Sequence, residues 1–369
     1  MRTILTLTLL VALAAPAAAQ SERDRERAAS RERLASQARE REAAREAAAE
    51  ARRQRDQQRD QQRQERGDSR EQVERTTRTL KIGANGELQL ANISGDINVS
   101  RGGGNEVSVE IVKTARGRTD DDARELLKLV QVDVVERSGR AEVRARYPEG
   151  EEMRRNNRRN INVSVAYNVT APAGIRLRAH SISGSITTRD IKGEVSAESV
   201  SGNVHVFNGG RIASAKSISG NVEVNDTDID GSFNASSASG SVVLRRVKAR
   251  MLDLGSISGD VLLDDVDSPQ VEAQTISGNV RFGGPLGKSA RYELSSHSGN
   301  VSVTLAGSSG FEVEATSFSG SIRSDFTFSS DTGDAGRSRF RRTIRGVYGD
   351  GSAVLDLTTF SGNIVIARK

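Results

Sequence analysis

The sequence predicts an all-β fold, a parallel β-solenoid or β-helix with about 18–21 residues per coil. Three observations predict it. The tetrad Ser-Gly-(Asn/Asp/Ser)-(Val/Ile) occurs ten times, with glycines at Gly95, Gly184, Gly202, Gly220, Gly240, Gly259, Gly278, Gly299, Gly320 and Gly362. From Gly184 onward these glycines are 18, 18, 20, 19, 19, 21, 21 and 42 residues apart. Apolar residues recur in columns fixed to the glycine, with the period of two that marks a strand with one buried face.

The columns run as follows. Seven before the glycine stand Leu177, Val195, Leu252 and Val271; five before stand Ala179, Ala197, Leu254 and Ala273; two after stand Ile186, Val204, Val261 and Val280. Two before stand Ile93, Ile182, Val200, Ile218, Ala238, Ile257, Ile276, His297, Phe318 and Phe360, which the pattern assigns to the interior. That assignment puts a corner between the positions five and two before the glycine. A third apolar position, Ile191, Val247 and Val266, predicts three short faces per turn. No coil buries enough to stand alone, so neighbours must share one interior.

The chain divides in order. Residues 1–20 read as a signal peptide: Arg2, an apolar run Ile4 to Leu13, and Ala17-Ala18-Ala19 before Gln20. Residues 21–77 read as a helical or disordered arm rich in Arg, Glu, Gln and Ala, with no apolar seam for a coiled coil. Residues 78–176 hold the first coil and an α+β capping insertion, in which Thr119 and Asp122 cap a short helix through Leu129. Residues 177–369 are the β-solenoid repeats, with a further insertion near 329–346.

Composition narrows the chemistry. The 369 residues include no Cys, no Trp and three His, with 4 % aromatics. Disulfides, thiol nucleophiles, Cys-ligated metals and a lipoprotein anchor are excluded, and base-stacking recognition of nucleic acid is not expected. Lys+Arg 54 against Asp+Glu 49 gives +5, too balanced to indicate a partner. No mature segment is long and apolar enough to span a membrane as a helix.

The runs "ANISGDINV", "YNVTAPAGIRLRAHSISGSI" and "SISGNVEV" resemble the bacterial "putative adhesin" family of β-strand-repeat envelope proteins. The resemblance covers roughly residues 78–369 and implies a β-solenoid, an exported or membrane-associated location, and roles in adhesion or envelope-stress response. It supplies no catalytic residue, and the arm lies outside it.

Four clusters bear on function. Asp226-Thr227-Asp228-Ile229-Asp230-Gly231 matches the opening of a calcium loop, but Ser237 stands where the bidentate Glu belongs, so a polar turn is expected. Asp253, Asp260, Asp264, Asp265 and Asp267 crowd one coil, without the His, Lys or aromatic neighbours of a catalytic acid pair. His297 occupies the column of Ile and Phe. Arg154, Arg155, Arg158 and Arg159 form a basic loop suited to anions, and Arg337, Arg339, Arg341, Arg342 and Arg345 form another. No catalytic, cofactor-binding or metal-ligating residue is assigned. The expectation is a non-enzymatic, exported, adhesin-like binding or scaffold module of the cell envelope, periplasmic or on the surface. Its expected partners are envelope polysaccharide, lipopolysaccharide or protein. An envelope-stress sensor acting through the Arg loops is the alternative, and a polysaccharide-active enzyme the third.

Overall fold

The computed structural model of the chain describes residues 70–148, 161–307, 309–329 and 342–369. The signal segment, nearly all of the arm, and Arg154, Arg155, Arg158 and Arg159 lie outside the described residues.

Strand β1 (Arg70–Leu80) begins inside the segment expected to be arm. It pairs antiparallel with β4 (Val107–Gly117) along its whole length, from Arg70↔Gly117 to Leu80↔Val107. Ion pairs of Glu74 with Lys113 and of Glu71 with Arg116 run across the pair, so tertiary pairing overrides the helix propensity of an Arg/Glu-rich stretch. The first rung is β2 (Glu87–Ser94) followed by β3 (Ile97–Arg101). After β4, Thr119 Oγ1 accepts the Asp122 amide at 3.1 Å and starts α1 (Asp120–Leu129), which buries Ala123, Leu126 and Leu127. Strands β5 (Gln131–Arg137), β6 (Arg140–Arg146) and β7 (Val163–Ala171) complete this elaboration.

From there the chain alternates between two sheets. The rungs are β8 (Arg176–Ser183) with β9 (Ile186–Arg189), β10 (Glu194–Ser199) with β11 (Val204–Phe207), and β12 (Arg211–Ser217) with β13 (Val222–Asp228). They continue as β14 (Ser232–Ser237) with β15 (Val242–Lys248), β16 (Met251–Ser256) with β17 (Val261–Asp267), β18 (Gln270–Thr275) with β19 (Val280–Gly284), and β20 (Arg291–Ser298) with β21 (Val301–Leu305). The last part comprises β22 (Phe311–Ser319), β23 (Ile322–Ser324), β24 (Arg342–Tyr348), β25 (Ala353–Ser361) and β26 (Ile364–Arg368).

Two sheets of 13 strands result, not three faces. The first collects the strands after each glycine, in the order β1-β4-β7-β3-β9-β11-β13-β15-β17-β19-β21-β26-β23. The second collects those before it, β24-β22-β25-β20-β18-β16-β14-β12-β10-β8-β2-β6-β5. Leu177, Val195, Leu252, Leu254, Val204 and Val261 all point into the single core between the sheets. The third apolar residues Ile191, Val247 and Val266 are buried as expected, but at a corner. There Asp190, Asn208, Asp226, Arg246 and Asp265, each six residues after its glycine, have φ between 50 and 60°. One left-handed residue reverses the strand's alternation, so the next side chain turns inward without a third sheet.

The 42 residues between Gly320 and Gly362 include the additional strand β24, and the rung that follows returns along the stack. Strand β25 pairs in parallel with both β20 and β22, and β26 with both β21 and β23. The C-terminal rung therefore slides between two rungs that precede it in sequence. Strand β24 then lies antiparallel on β22 and closes the second sheet.

Candidate binding face

The glycine corner is made by two files of hydrogen bonds. Three residues before the glycine stands Ser or Thr in every rung but the first, where Asn92 replaces it. From Ser199 onward this hydroxyl donates to the glycine carbonyl of the rung below, as Ser256 Oγ does to Gly240 O at 2.9 Å. In the rungs of Gly202, Gly220, Gly240 and Gly259 it also accepts its own glycine's amide, as from Gly259 N at 2.9 Å. In the first rung Asn92 Nδ2 donates to Gly95 O at 2.8 Å, and Ser181 Oγ, the next hydroxyl of the file, is buried without a partner. One residue after the glycine, an Asn or Asp side-chain oxygen accepts the next rung's amide: Asn203 from Asn221 at 2.9 Å, Asn221 from Ser241 at 2.8 Å, Asn279 from Asn300 at 3.0 Å. The tetrad's third letter is thus chosen for a short side chain carrying an oxygen.

Rung sits directly on rung here. A Cβ on Gly259 would lie 2.2 Å from Gly240 O, and the same holds along the stack through Gly278, Gly299, Gly362 and Gly320. The repeat glycines therefore allow close approach along the stack, onto the backbone of the rung below.

With positions seven, five and three before the glycine facing in, position two faces out. This corrects the sequence expectation: Ile182, Ile218, Ile257, Ile276, Phe318 and Phe360 are between 43 and 53 % exposed. His297 is exposed in the same file, its ring stacked on Phe360 at 4.9 Å, and Phe360 stacks on Phe318 at 4.7 Å. The chain thus carries an outward apolar ladder on successive rungs, aliphatic at first and aromatic at one end. A groove of about 840 Å³ runs beside it on the second sheet, floored by Ser236, Gly255 and Ser295 and walled by Ile218, Ile257 and Ile276.

The outer face of the second sheet is electrically polarised. Its earlier rungs present Arg176, Arg178, Arg211 and Lys216 with Glu194 and Glu198. Its later rungs present Asp253, Glu272, Glu293, Asp356, Glu312 and Glu314 with Arg291. Five of these carboxylates stand in one file, because Asp253↔Glu272, Glu272↔Glu293, Glu293↔Asp356 and Asp356↔Glu314 are in register. Arg345 of β24 pairs with Glu314 at the end of the file. At the opposite end Glu87 is buried, and its hydrogen bond to Arg140 at 2.7 Å, with a second from Gln89, holds its carboxyl below the ordinary range. On the first sheet burial opposes the Glu223 carboxylate, yet Asn225 and Arg245 together keep its pKa lowered.

The other sequence candidates disperse. Asp226 is bound by Arg246 at 2.9 Å and Asp230 by Arg250 at 3.0 Å, so two of the three carboxylates of the calcium-like run are engaged across rungs. Of the crowded aspartates, Asp253 lies on the second sheet while Asp264 and Asp265 lie on the first. Asp260 serves the Asn ladder, accepting Asn279 N at 2.8 Å, and Asp267 faces Lys248 at 3.6 Å. Of the second basic cluster, Arg342 and Arg345 are described and lie on β24. The polarised face was not anticipated from sequence. Its signal was the residue six before each glycine, basic at Arg178 and acidic from Asp253 onward.

Residues 85–367 match the Toastrack DUF4097 family. The chain belongs to that family. The expected resemblance to adhesin-like repeat proteins agrees with it, and so does the β-solenoid architecture. The Toastrack chain is also similar to solved structures. One, from Clostridium sporogenes, is named a "putative cell adhesion protein", at 12 % identity over 82 % of this chain and 100 % of that one, TM-score 0.22. Two come from Parabacteroides distasonis: a "putative adhesin" at 12 % identity, 79 % and 96 % coverage, TM-score 0.41, and a "putative lipid binding protein" at 14 % identity, 79 % and 96 % coverage, TM-score 0.44. No curated protein matches the chain. Among the described residues no helix is long and apolar enough to cross a membrane.

Proposed function

We propose that the chain is a non-catalytic binding or scaffold module of the cell envelope, exported by its N-terminal segment, and that the outer face of the second sheet is its working surface. One observation carries this reading. Six Ile and Phe side chains stand half-exposed in a single file beside a groove of about 840 Å³. Scattered surface apolar residues need no explanation, but a continuous row of them marks an interaction site. The aromatic members are stacked on one another, so mainly ring edges face solvent and few free ring faces remain for a sugar. That favours an apolar or protein partner over a polysaccharide. The dispersal of the aspartates over two sheets supports a role without catalysis.

The test is co-sedimentation of the full mature chain with purified envelope vesicles. Ile257→Ser with Ile276→Ser alters two exposed positions and leaves the circular dichroism spectrum unchanged. Retention of the native chain and its loss in this variant is the expected result; equal retention of both overturns the choice of face.

A further inference from the structure

We infer that the partner fitting this face is a second copy of the chain, laid antiparallel on the first about a two-fold axis parallel to the strands. The inference rests on the reading of the face given above and goes beyond it by naming the occupant. Its basis is that the face is complementary to itself. Rungs stack in the order of Gly95, Gly184, Gly202, Gly220, Gly240, Gly259, Gly278, Gly299, Gly362 and Gly320. An axis between the rungs of Gly240 and Gly259 brings the second rung onto the ninth, the third onto the eighth and the fourth onto the seventh.

Several of the matches then join opposite charges or apolar groups. Arg178 and Asp356, both six before their glycines, come opposite each other, as do Glu194 and Arg291, both eight before. Lys216 comes over the rung of Glu272. Along the apolar ladder Ile218 meets Ile276, Ala238 meets Ile257, and Ile182 meets Phe360. An axis parallel to the stack would instead set each half on its own kind, Asp356 and Glu293 against the same carboxylates, which repel. Charge therefore selects the antiparallel pair. The contact is large enough: eight rungs at ~4.8 Å by seven residues at ~3.3 Å give about 900 Å² per copy, near the ~800 Å² of a standard interface. An isologous two-fold contact also closes on itself, so it yields a dimer and not a fibre.

Analytical ultracentrifugation of the full mature chain tests the pairing. The native chain is expected to dimerise more weakly as salt rises. Arg178→Glu and Asp356→Lys singly weaken the dimer by roughly tenfold or more, while the two together in one chain restore it to within about threefold. Because the chain has no cysteine, orientation is read directly. A mixture of Ile218→Cys and Ile276→Cys chains forms a disulfide across copies. Ile218→Cys alone does not, its two thiols lying about three rungs apart, or ~14 Å, beyond disulfide reach. A native chain that stays monomeric at every concentration overturns the inference, and so does self-crosslinking of Ile218→Cys. If the chain is monomeric but Ile257→Ser with Ile276→Ser still abolishes vesicle retention, the working-face reading stands and the dimer alone falls. If the chain dimerises and neither those substitutions nor the charge reversals change it, the contact lies elsewhere and the inference falls.

Discussion

At the glycine corner the rungs turn in the same few residues, with the same hydroxyl, glycine and short polar side chain; at the opposite corner they share a left-handed residue but differ in length. From the rung of Gly184 to that of Gly278, the fourteen residues from seven before the glycine to six after it are constant in number. What remains varies from four to seven residues, so most of the variation in period from 18 to 21 falls at the second corner, the exception being a one-residue bulge at Ala213 in β12. The first corner fixes register by backbone contact and neutral hydrogen bonds. The second uses a left-handed residue and charged pairs such as Asp226–Arg246 and Glu87–Arg140. One corner is therefore sensitive to volume and the other to charge.

The largest effect is expected from Gly259→Ala, whose Cβ would meet Gly240 O at 2.2 Å. Forcing two rungs apart should cost about 3 kcal/mol or more in urea unfolding. Gly255→Ala, where a Cβ meets nothing within 4 Å, should cost nothing and improve the strand slightly. Next comes Ser256→Ala, which deprives both Gly240 O and Gly259 N of their partner, for about 2 kcal/mol by the same measurement. A Gly-Ser insertion between Gly287 and Lys288, at the variable corner, should change stability by less than about 1 kcal/mol. The same two residues between Ser258 and Gly259 should abolish cooperative folding.

The smallest effect concerns pH. Glu87 has a lowered pKa when folded, held there first by the Arg140 hydrogen bond. Its contribution is therefore complete above the unfolded carboxylate value near about 4.3 and is lost as pH falls through the lower folded value. Glu87→Gln should be less stable than the native chain at neutral pH, with the difference closing in acid. Urea midpoints across pH read it, and a difference that persists in acid would assign the effect to packing instead.

Much of this architecture was legible in the sequence because strand periodicity and a glycine-fixed repeat are local signals. Leu252, Leu254 and Val261 fall inward as their spacing requires. Ile257 does not: an apolar residue beside a strand reads as inward, and the glycine two residues on has no side chain to show its direction. Ser256 held the missing clue: a hydroxyl recurring three before the glycine is buried by two hydrogen bonds, and its burial turns Ile257 outward. The place of the last rung was not legible at all. Strand insertion is a long-range choice that no local pattern encodes, yet it sets Asp356 between Glu293 and Glu314 and so completes the acidic file.

The outward turn of the apolar ladder is tested most directly by thiol labelling of single cysteines in a chain that has none of its own. In dilute protein at high salt, Ile257→Cys should react at close to the rate of a free thiol, while Leu254→Cys should react only on unfolding. Equal protection of the two would return Ile257 to the interior and remove the binding face.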